Sequence, residues 1–239
     1  MCIRDRSIIR LVDFLIDNGV DYIVVHGTTG ESSTLNKSEK NLSRTAFVNA
    51  NKGRVPMILG LGSNDTLSIV NDLRSSQFSG FSAILSVTPF YNKPSQNGLY
   101  KHYSAISKAS PLPIILYNVP SRTGVNMLAK TTIEIASNHS NIIGIKEACG
   151  DLNQVKQLIE KRPQDFMIIS GNDETAVKTV LLGGDGVISV AAGCIPKYFT
   201  EIIRLALNKN EDLSLKKLNQ IQLLLKLLFY LLRLLHFYN

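Results

Sequence analysis

The residue with most chemistry to offer is a lysine inside an apolar run, Asn141-Ile-Ile-Gly-Ile-Lys-Glu-Ala-Cys-Gly150. A short hydrophobic segment bounded by Asn and Gly reads as a buried strand. Side chains alternate across a strand, so Gly144, Lys146 and Ala148 are expected on one face and Ile143, Ile145 and Glu147 on the other. The first face sets one long amine between two small residues. The second offers aliphatic surface to a covering helix. Burial disfavours an ammonium and lowers its pKa, and a neutral amine can attack a carbonyl carbon to form a Schiff base. The alternative is a lysine at a strand end whose head reaches solvent, and the strand alone leaves both open.

Four other stretches carry reactive or polar residues. Tyr117-Asn-Val-Pro-Ser-Arg-Thr-Gly124 places a phenol at a strand end and a guanidinium five residues on, in a loop held by Pro120 and ended by Gly124. A phenol can pass protons, and Arg grips a carboxylate through two parallel hydrogen bonds; a core tyrosine beside a surface arginine would look the same. Gly27-Thr-Thr-Gly-Glu31 follows a strand, where glycines let amides converge on an anion or simply make a turn. Thr88-Pro-Phe-Tyr-Asn-Lys-Pro94 presents aromatics suited to packing or an interface. Ser170-Gly-Asn-Asp173 suits either closure around an anion or a helix cap.

The elements that must position these residues alternate regularly. Strands are expected at Tyr22–His26, Val55–Leu61, Ala83–Val87, Ile114–Asn118, Ile142–Glu147, Phe166–Ser170 and Gly186–Val190. Helices are expected at Ser7–Asn18, Ser38–Asn51 with Ser38 as cap, Thr66–Ser79 and Gly98–Ala109. Further helices follow at Leu128–Ala136, Leu152–Arg162, Glu174–Leu182 and Pro196–Leu207. Such alternation means parallel strands with helical crossovers. A dinucleotide-binding sheet would carry G-x-G-x-x-G after its first strand, and none is present. Polar residues cluster instead just after the C-terminal ends of several strands, where α/β barrel enzymes build their sites. The expected fold is therefore a TIM (β/α)8 barrel.

That barrel is expected to be incomplete, because seven strands are legible and the chain opens on a helix. Residues 1–6 read as an extraneous segment, 7–208 as a barrel domain lacking its first strand, and 209–239 as a truncated or altered C-terminal helical region. Ile221–Tyr238 is leucine-rich but interrupted by Lys226 and Arg233, too short and charged for a membrane span. It is expected to be a buried or misread terminal helix rather than an anchor.

Composition narrows the class of function. Hydrophobic residues make up 44% and charged residues 19%, ordinary for a globular chain. The net charge of +7 is dispersed, with no basic block interleaved with aromatics, which argues against a nucleic-acid partner. Cys2, Cys149 and Cys194 have neither paired nor metal-ligand spacing, and the four histidines have none either. That usage suits a reducing compartment. With no signal-peptide pattern visible, the expected location is cytoplasmic, with no membrane partner.

In order, the segments GTTGES, TPFYNKPSQNGLYKHY, YNVPSRTG, GIKEACG, SGND and GGDGVISV closely resemble the dihydrodipicolinate synthase family, from about Ile8 to about Leu225. The resemblance implies a class I aldolase-type lyase on a TIM barrel. Its reaction condenses pyruvate with L-aspartate 4-semialdehyde on the diaminopimelate and lysine route, with no metal or organic cofactor. By motif, Lys146 matches the Schiff-base residue and Tyr117 the proton donor and acceptor. Thr28 and Tyr91 match its relay partners, Tyr91 reaching in from a neighbouring subunit. Thr29, Ile188 and Gly171 match positions around pyruvate, and Arg122 matches the residue that receives the aldehyde substrate's carboxylate. The resemblance also implies a homo-oligomer, a dimer or tetramer.

Two alternatives stay open at this point. Sister aldolases, such as N-acetylneuraminate lyase or 2-keto-3-deoxy sugar acid aldolases, share the glycine turn and the lysine, although Ser121-Arg122-Thr123 favours a carboxylate-bearing partner. A non-catalytic fragment would keep the motifs without assembling them. Lysine-inhibited members use a histidine and a glutamate where this chain has Lys37 and Ser68, so weak or no feedback by lysine is expected.

Overall fold

The computed structural model describes residues 5–235. The chain opens with α1 (Asp5–Asp17), β1 (Ile23–Val25), α2 (Lys37–Asn51), β2 (Met57–Gly60), α3 (Thr66–Ser75) and β3 (Ala83–Val87). It continues with α4 (Gln96–Ala109), β4 (Ile114–Asn118), the one-turn α5 (Pro120–Thr123), α6 (Ala129–Asn138) and β5 (Ile142–Glu147). Then come α7 (Leu152–Lys161), β6 (Met167–Ser170), α8 (Ala176–Leu181), β7 (Gly186–Val187), α9 (Pro196–Leu207), α10 (Glu211–Gln220) and α11 (Gln222–Leu235). All seven strands lie in one sheet in chain order, and every neighbouring pair is parallel.

A parallel sheet covered by its own crossovers is apolar on both faces, and two separate clusters show this. Ile84, Ile114, Leu116, Ile145 and Ile168 pack outward with helix residues such as Leu99, Ile106, Ile135 and Leu158. Ile58, Leu85, Ile115, Tyr117, Ile169 and Ile188 pack inward, joined by Tyr22 and Val24 from the first strand region. The Tyr22 hydroxyl donates to the Val187 carbonyl at 3.0 Å, so the sheet curls until its first and last strands face each other. Among the described residues no strand fills the interval between β1 and β7. The seven-strand incomplete barrel expected from the sequence is what forms. A third cluster joins Val177 and Val180 of α8, Phe199 and Ile202 of α9, Leu218 of α10 and Leu225 of α11.

Several local expectations need correction. The cap of α2 is Asn36, not Ser38: its side chain accepts from the Glu39 amide at 3.0 Å, and the Glu39 carboxylate accepts from the Asn36 amide at 2.9 Å. That reciprocal box satisfies two otherwise orphaned amides. Helix α3 stops at Ser75 because Ser76 is extended; Phe78 keeps apolar spacing but enters the core from the turn that follows. Helix α8 starts two residues late because the Asn172 side chain takes the amides of Glu174 and Thr175. Helix α10, capped by Asn210, falls in the region expected to be helical, although no bounds were assigned to it.

The most consequential correction concerns Ile143. Pairing of β4 with β5 runs Ile114 to Ile142 and then Ile115 to Gly144, a bulge that leaves Ile143 as the extra residue. A bulge breaks the two-residue alternation, so Ile143 joins the inward cluster instead of sharing the outward face with Ile145. Beyond it, alternation resumes with Lys146 and Ala148 inward, as expected.

At the ends, the expectation of an extraneous 1–6 segment falls partly on residues 1–4, which lie outside the described residues. Asp5 and Arg6 belong to α1. Of the terminal run, α11 covers Gln222–Leu235, while 236–239 lie outside the described residues. Expected to be buried, α11 is instead largely open along one side: Leu225 is buried, but Leu223, Leu227, Tyr230 and Leu231 are exposed. Among the described residues no helix is long and apolar enough to cross a membrane.

Candidate active site

The C-terminal ends of the strands open into a cavity of about 1690 Å³. Its volume is large because the mouth of the barrel runs into the interval between β1 and β7, walled by Ile8 and Leu15 of α1 and by Phe199 and Ile203 of α9. Thr28, Thr29, Tyr117, Arg122, Lys146, Gly171 and Ile188 all line it. Seven of the eight residues singled out from the sequence are therefore brought together.

Lys146 and Tyr117 form the centre. They are cross-strand partners in β4 and β5, and the lysine Nζ lies 4.3 Å from the centre of the phenol ring. An aromatic face at that distance attracts a cation and also shields the amine from water. Burial pulls the lysine pKa down to about 8, and the Arg122 guanidinium pushes the same way, while the Asp173 carboxylate opposes both. The result is an amine that is free base over a pH range where an exposed lysine is an ammonium.

Gly171 owes its place to this lysine. A Cβ built there would sit 2.9 Å from Lys146 Cε and 2.7 Å from Ala148 Cβ. Only glycine lets the lysine stem lie across the start of the loop after β6. The neighbouring Ser170-Gly-Asn-Asp173 segment acts mainly as a splint: Asp173 Oδ2 accepts from the amides of Val190 and Ala191 at 3.2 and 2.9 Å. Burial raises the Asp173 pKa, opposed by these amides, by Ser189 and by the nearby lysine.

Tyr117 is buried in the inward cluster. Burial raises its pKa, countered by the Arg122 charge and by a hydrogen bond with the Thr28 side chain. Thr28 opens a one-turn helix, Thr28–Gly30, directly after β1. The chain turns there through His26, which has a φ of 60°, and β2 passes so close that a Cβ on Gly60 would lie 2.2 Å from the His26 carbonyl oxygen. Pro120 starts α5 and Gly124 caps it with a φ of 73°, which turns Arg122 back over the cavity. Ile188 is held by its amide to the Ser170 carbonyl at 2.9 Å, presenting an apolar wall.

Tyr91 stands apart. It is 87% exposed, adopts a φ of 71° and does not line the cavity of its own chain. Among the described residues no three His, Cys, Asp or Glu side chains converge as a metal-holding group would.

One buried carboxylate has partners that the strand pattern did not reveal. Glu147 points outward from β5, is buried, and accepts from Asn118 Nδ2 on both oxygens at 3.0 Å, from Gln154 Nε2 at 2.9 Å and from the Cys149 amide at 2.8 Å. A carboxylate on an otherwise aliphatic strand face demands such partners, and that demand was the available signal.

A buried amine beside a phenol, at the C-terminal mouth of a parallel α/β barrel, places the protein in the class of α/β barrel enzymes. The Dihydrodipicolinate synthetase family model matches residues 3–234, and the chain belongs to that family. It is 47% identical over 223 residues to a 4-hydroxy-tetrahydrodipicolinate synthase of Flavobacterium psychrophilum, covering 92% of this chain and 76% of that relative. A synthase of the same description from Shewanella baltica is 49% identical over 209 residues, covering 87% and 71%. Among solved structures, dihydrodipicolinate synthase from Acinetobacter baumannii, complexed with pyruvate, superposes with a TM-score of 0.90 at 41% identity, covering 95% of this chain and 77% of the other. The Thermotoga maritima enzyme gives 0.90 at 39% identity, covering 94% and 77%.

Proposed function

We propose that this chain is a lyase that condenses pyruvate with L-aspartate 4-semialdehyde to 4-hydroxy-tetrahydrodipicolinate, in lysine and diaminopimelate biosynthesis, through a Schiff base on Lys146. The observation that carries this reading is the placement of the Lys146 amine, with its pKa near 8, 4.3 Å from the Tyr117 ring. The neutral amine adds to the ketone carbon of pyruvate. Loss of water, with a proton delivered by the phenol, gives the iminium. The iminium then draws electrons from the methyl carbon, whose proton leaves to give an enamine. That carbon attacks the aldehyde, the new alkoxide takes a proton, and the lysine iminium is restored. The amine of the aldehyde substrate then adds to the iminium carbon, closing the ring and expelling the Lys146 amine, so that product and free enzyme separate.

Tyr117 and its hydrogen-bonded partner Thr28 are suited to carry the protons, since a positioned phenol is an efficient shuttle. Thr29, Gly171 and Ile188 are assigned to the pyruvate carboxylate and body. Arg122 is assigned to the carboxylate of the aldehyde substrate, for which a bidentate guanidinium is suited. Neither step calls for a metal or organic cofactor. An exposed Tyr91 held at a φ of 71° supports insertion into the site of a second copy, hence a homo-oligomer of two or four chains. A cytoplasmic location is consistent with half-buried Cys149 and exposed Cys194 remaining free thiols. Weak feedback by lysine is expected from Lys37 and Ser68. We assign 7–208 to the barrel domain and the residues from 209 onward to a C-terminal helical region.

The test is incubation with pyruvate and borohydride, followed by mass spectrometry. A three-carbon adduct on the Lys146 peptide supports the reading, and turnover with L-aspartate 4-semialdehyde in preference to sugar aldehydes completes it. No adduct on a folded chain would defeat it.

A further inference from the structure

The bulge in β5 creates a problem that the fold has to solve near the reacting residues. Upstream of it Ile114 faces Ile142, and downstream Ile115 faces Gly144. The register at the start of the strand pair therefore does not dictate the register at its end. A slip by one residue would turn Lys146 from the cavity to the helix-covered face. Yet Tyr117 meets Lys146, and one step on Asn118 meets Glu147.

That last pair is the only point past the reacting residues where β4 and β5 are joined by side chains among the described residues, and it is buried. Asn118 Nδ2 donates to both oxygens of Glu147 at 3.0 Å, while Asn118 Oδ1 accepts from the Met127 amide at 3.0 Å. Gln154 of α7 donates to the same carboxylate at 2.9 Å and to the Met127 carbonyl at 3.1 Å. The Cys149 amide completes the set at 2.8 Å. Every partner of the carboxylate is a donor, so the bonds are charge-assisted, and they tie β4, β5, α7 and the segment leading into α6 together. Because side chains alternate, the network lies behind the sheet while Tyr117 and Lys146 lie in front.

We propose that Glu147, clamped by Asn118 and Gln154, is a positioning residue that fixes the Lys146 amine against Tyr117 by locking the β4–β5 register beyond the bulge. Glu147 does not touch the cavity, and its action on the chemistry runs through the backbone it shares with Lys146. This inference rests on the reading of Lys146 as the Schiff-base residue.

Glu147→Gln keeps the shape but turns one oxygen into a donor facing donors. The readout is the rate of pyruvate trapping on Lys146 by borohydride, followed from pH 6 to 10 on the folded full chain. Ile135→Val, in α6 and away from the cavity, serves as a control for lost packing. The expected result for Glu147→Gln is trapping slowed on the order of 10- to 100-fold, with the pH midpoint moved upward as the amine loosens toward water. Asp173 and Arg122 are the charged groups that face Lys146, and neither is altered, so a moved midpoint reports the lysine's own position. Ile135→Val should leave rate and midpoint in place. Should Glu147→Gln not fold, Gln154→Met removes one donor and is expected to slow trapping about threefold in the same direction. Wild-type rate and midpoint in folded Glu147→Gln, or in Gln154→Met where only that variant folds, would overturn the inference alone. Absence of any Lys146 adduct in the unsubstituted chain would overturn the underlying reading, and this inference with it.

Discussion

Lys146 and Tyr117 are neighbours across β4 and β5, and the amine stands 4.3 Å from the centre of the phenol ring. The pairing sets an apolar, weakly cation-attracting surface beside a group whose reactivity depends on being uncharged. Its pKa near 8 makes the amine mostly free base above that pH. Trapping by pyruvate is accordingly expected to rise with pH to a midpoint near 8 and then level off. A midpoint near that of free lysine, about 10.4, would contradict the buried placement.

Lys146→Met should abolish the adduct and raise the melting temperature together. In the folded chain the amine prefers its neutral form between pH 8 and the unfolded value, so below pH 8 the protein bears the cost of burying a charge. Replacing it with an apolar side chain of similar length is expected to stabilise by about 2 kcal/mol at pH 7. Calorimetry at pH 7 checks this, and the gain should shrink above pH 8.

Tyr117→Phe removes the hydroxyl but keeps the ring over the amine. Pyruvate should still be trapped on Lys146, while kcat for the complete condensation falls roughly 10²- to 10⁴-fold, the usual worth of one acid–base group. Equal loss of trapping and turnover would mean the tyrosine matters for shape alone.

Gly171→Ala tests the tight approach of the lysine stem. The added methyl would meet Ala148 Cβ at 2.7 Å and Lys146 Cε at 2.9 Å, costing about 1–3 kcal/mol if the surroundings yield. The cheapest accommodation swings the lysine aside, so trapping should slow more than stability falls. Denaturant melts beside trapping rates separate the two.

His102 governs stability toward acid. It is buried on α4, with Nδ1 2.8 Å from the Thr66 hydroxyl and Nε2 without a partner, and burial lowers its pKa to about 4. The unfolded chain takes up this proton near pH 6.5 and the folded chain only near pH 4. The stability present above pH 6.5 is therefore lost as the pH falls toward 4, by about 3 kcal/mol from this residue. His102→Leu should reduce that part of the slope, read as melting temperature against pH; His26, lowered to about 4 by burial and by Arg44 and Lys40, adds slope of the same sign.

Alternation of apolar strands with amphipathic helices, together with the position of polar residues after strand ends, was enough to anticipate a parallel barrel. Periodicity and end position are local properties, and β3, β4, β5 and α9 fall within the residues expected. Boundaries were lost where a side chain outside the apolar pattern decides the matter, as with Asn36 capping α2 and Asn172 taking the amides just ahead of α8. Helix α5, one turn long, was also hidden, because Pro120 and Gly124 fit a loop as well as a helix turn.

The sequence by itself determined which residues could react, because an amine, a phenol and a guanidinium are chosen by side-chain type. It also determined the order of strands, since short crossovers force parallel neighbours. Only the tertiary structure decided that Lys146 faces the cavity with a lowered pKa, because its burial depends on Tyr117 and Gly171, and the repelling charge on Arg122, arriving from three other elements. The same holds for Ile143 turning inward and for Glu147 finding Asn118 and Gln154. A bulge and a buried polar network are consequences of how β4, β5 and α7 fit against one another, and no single segment contains that information.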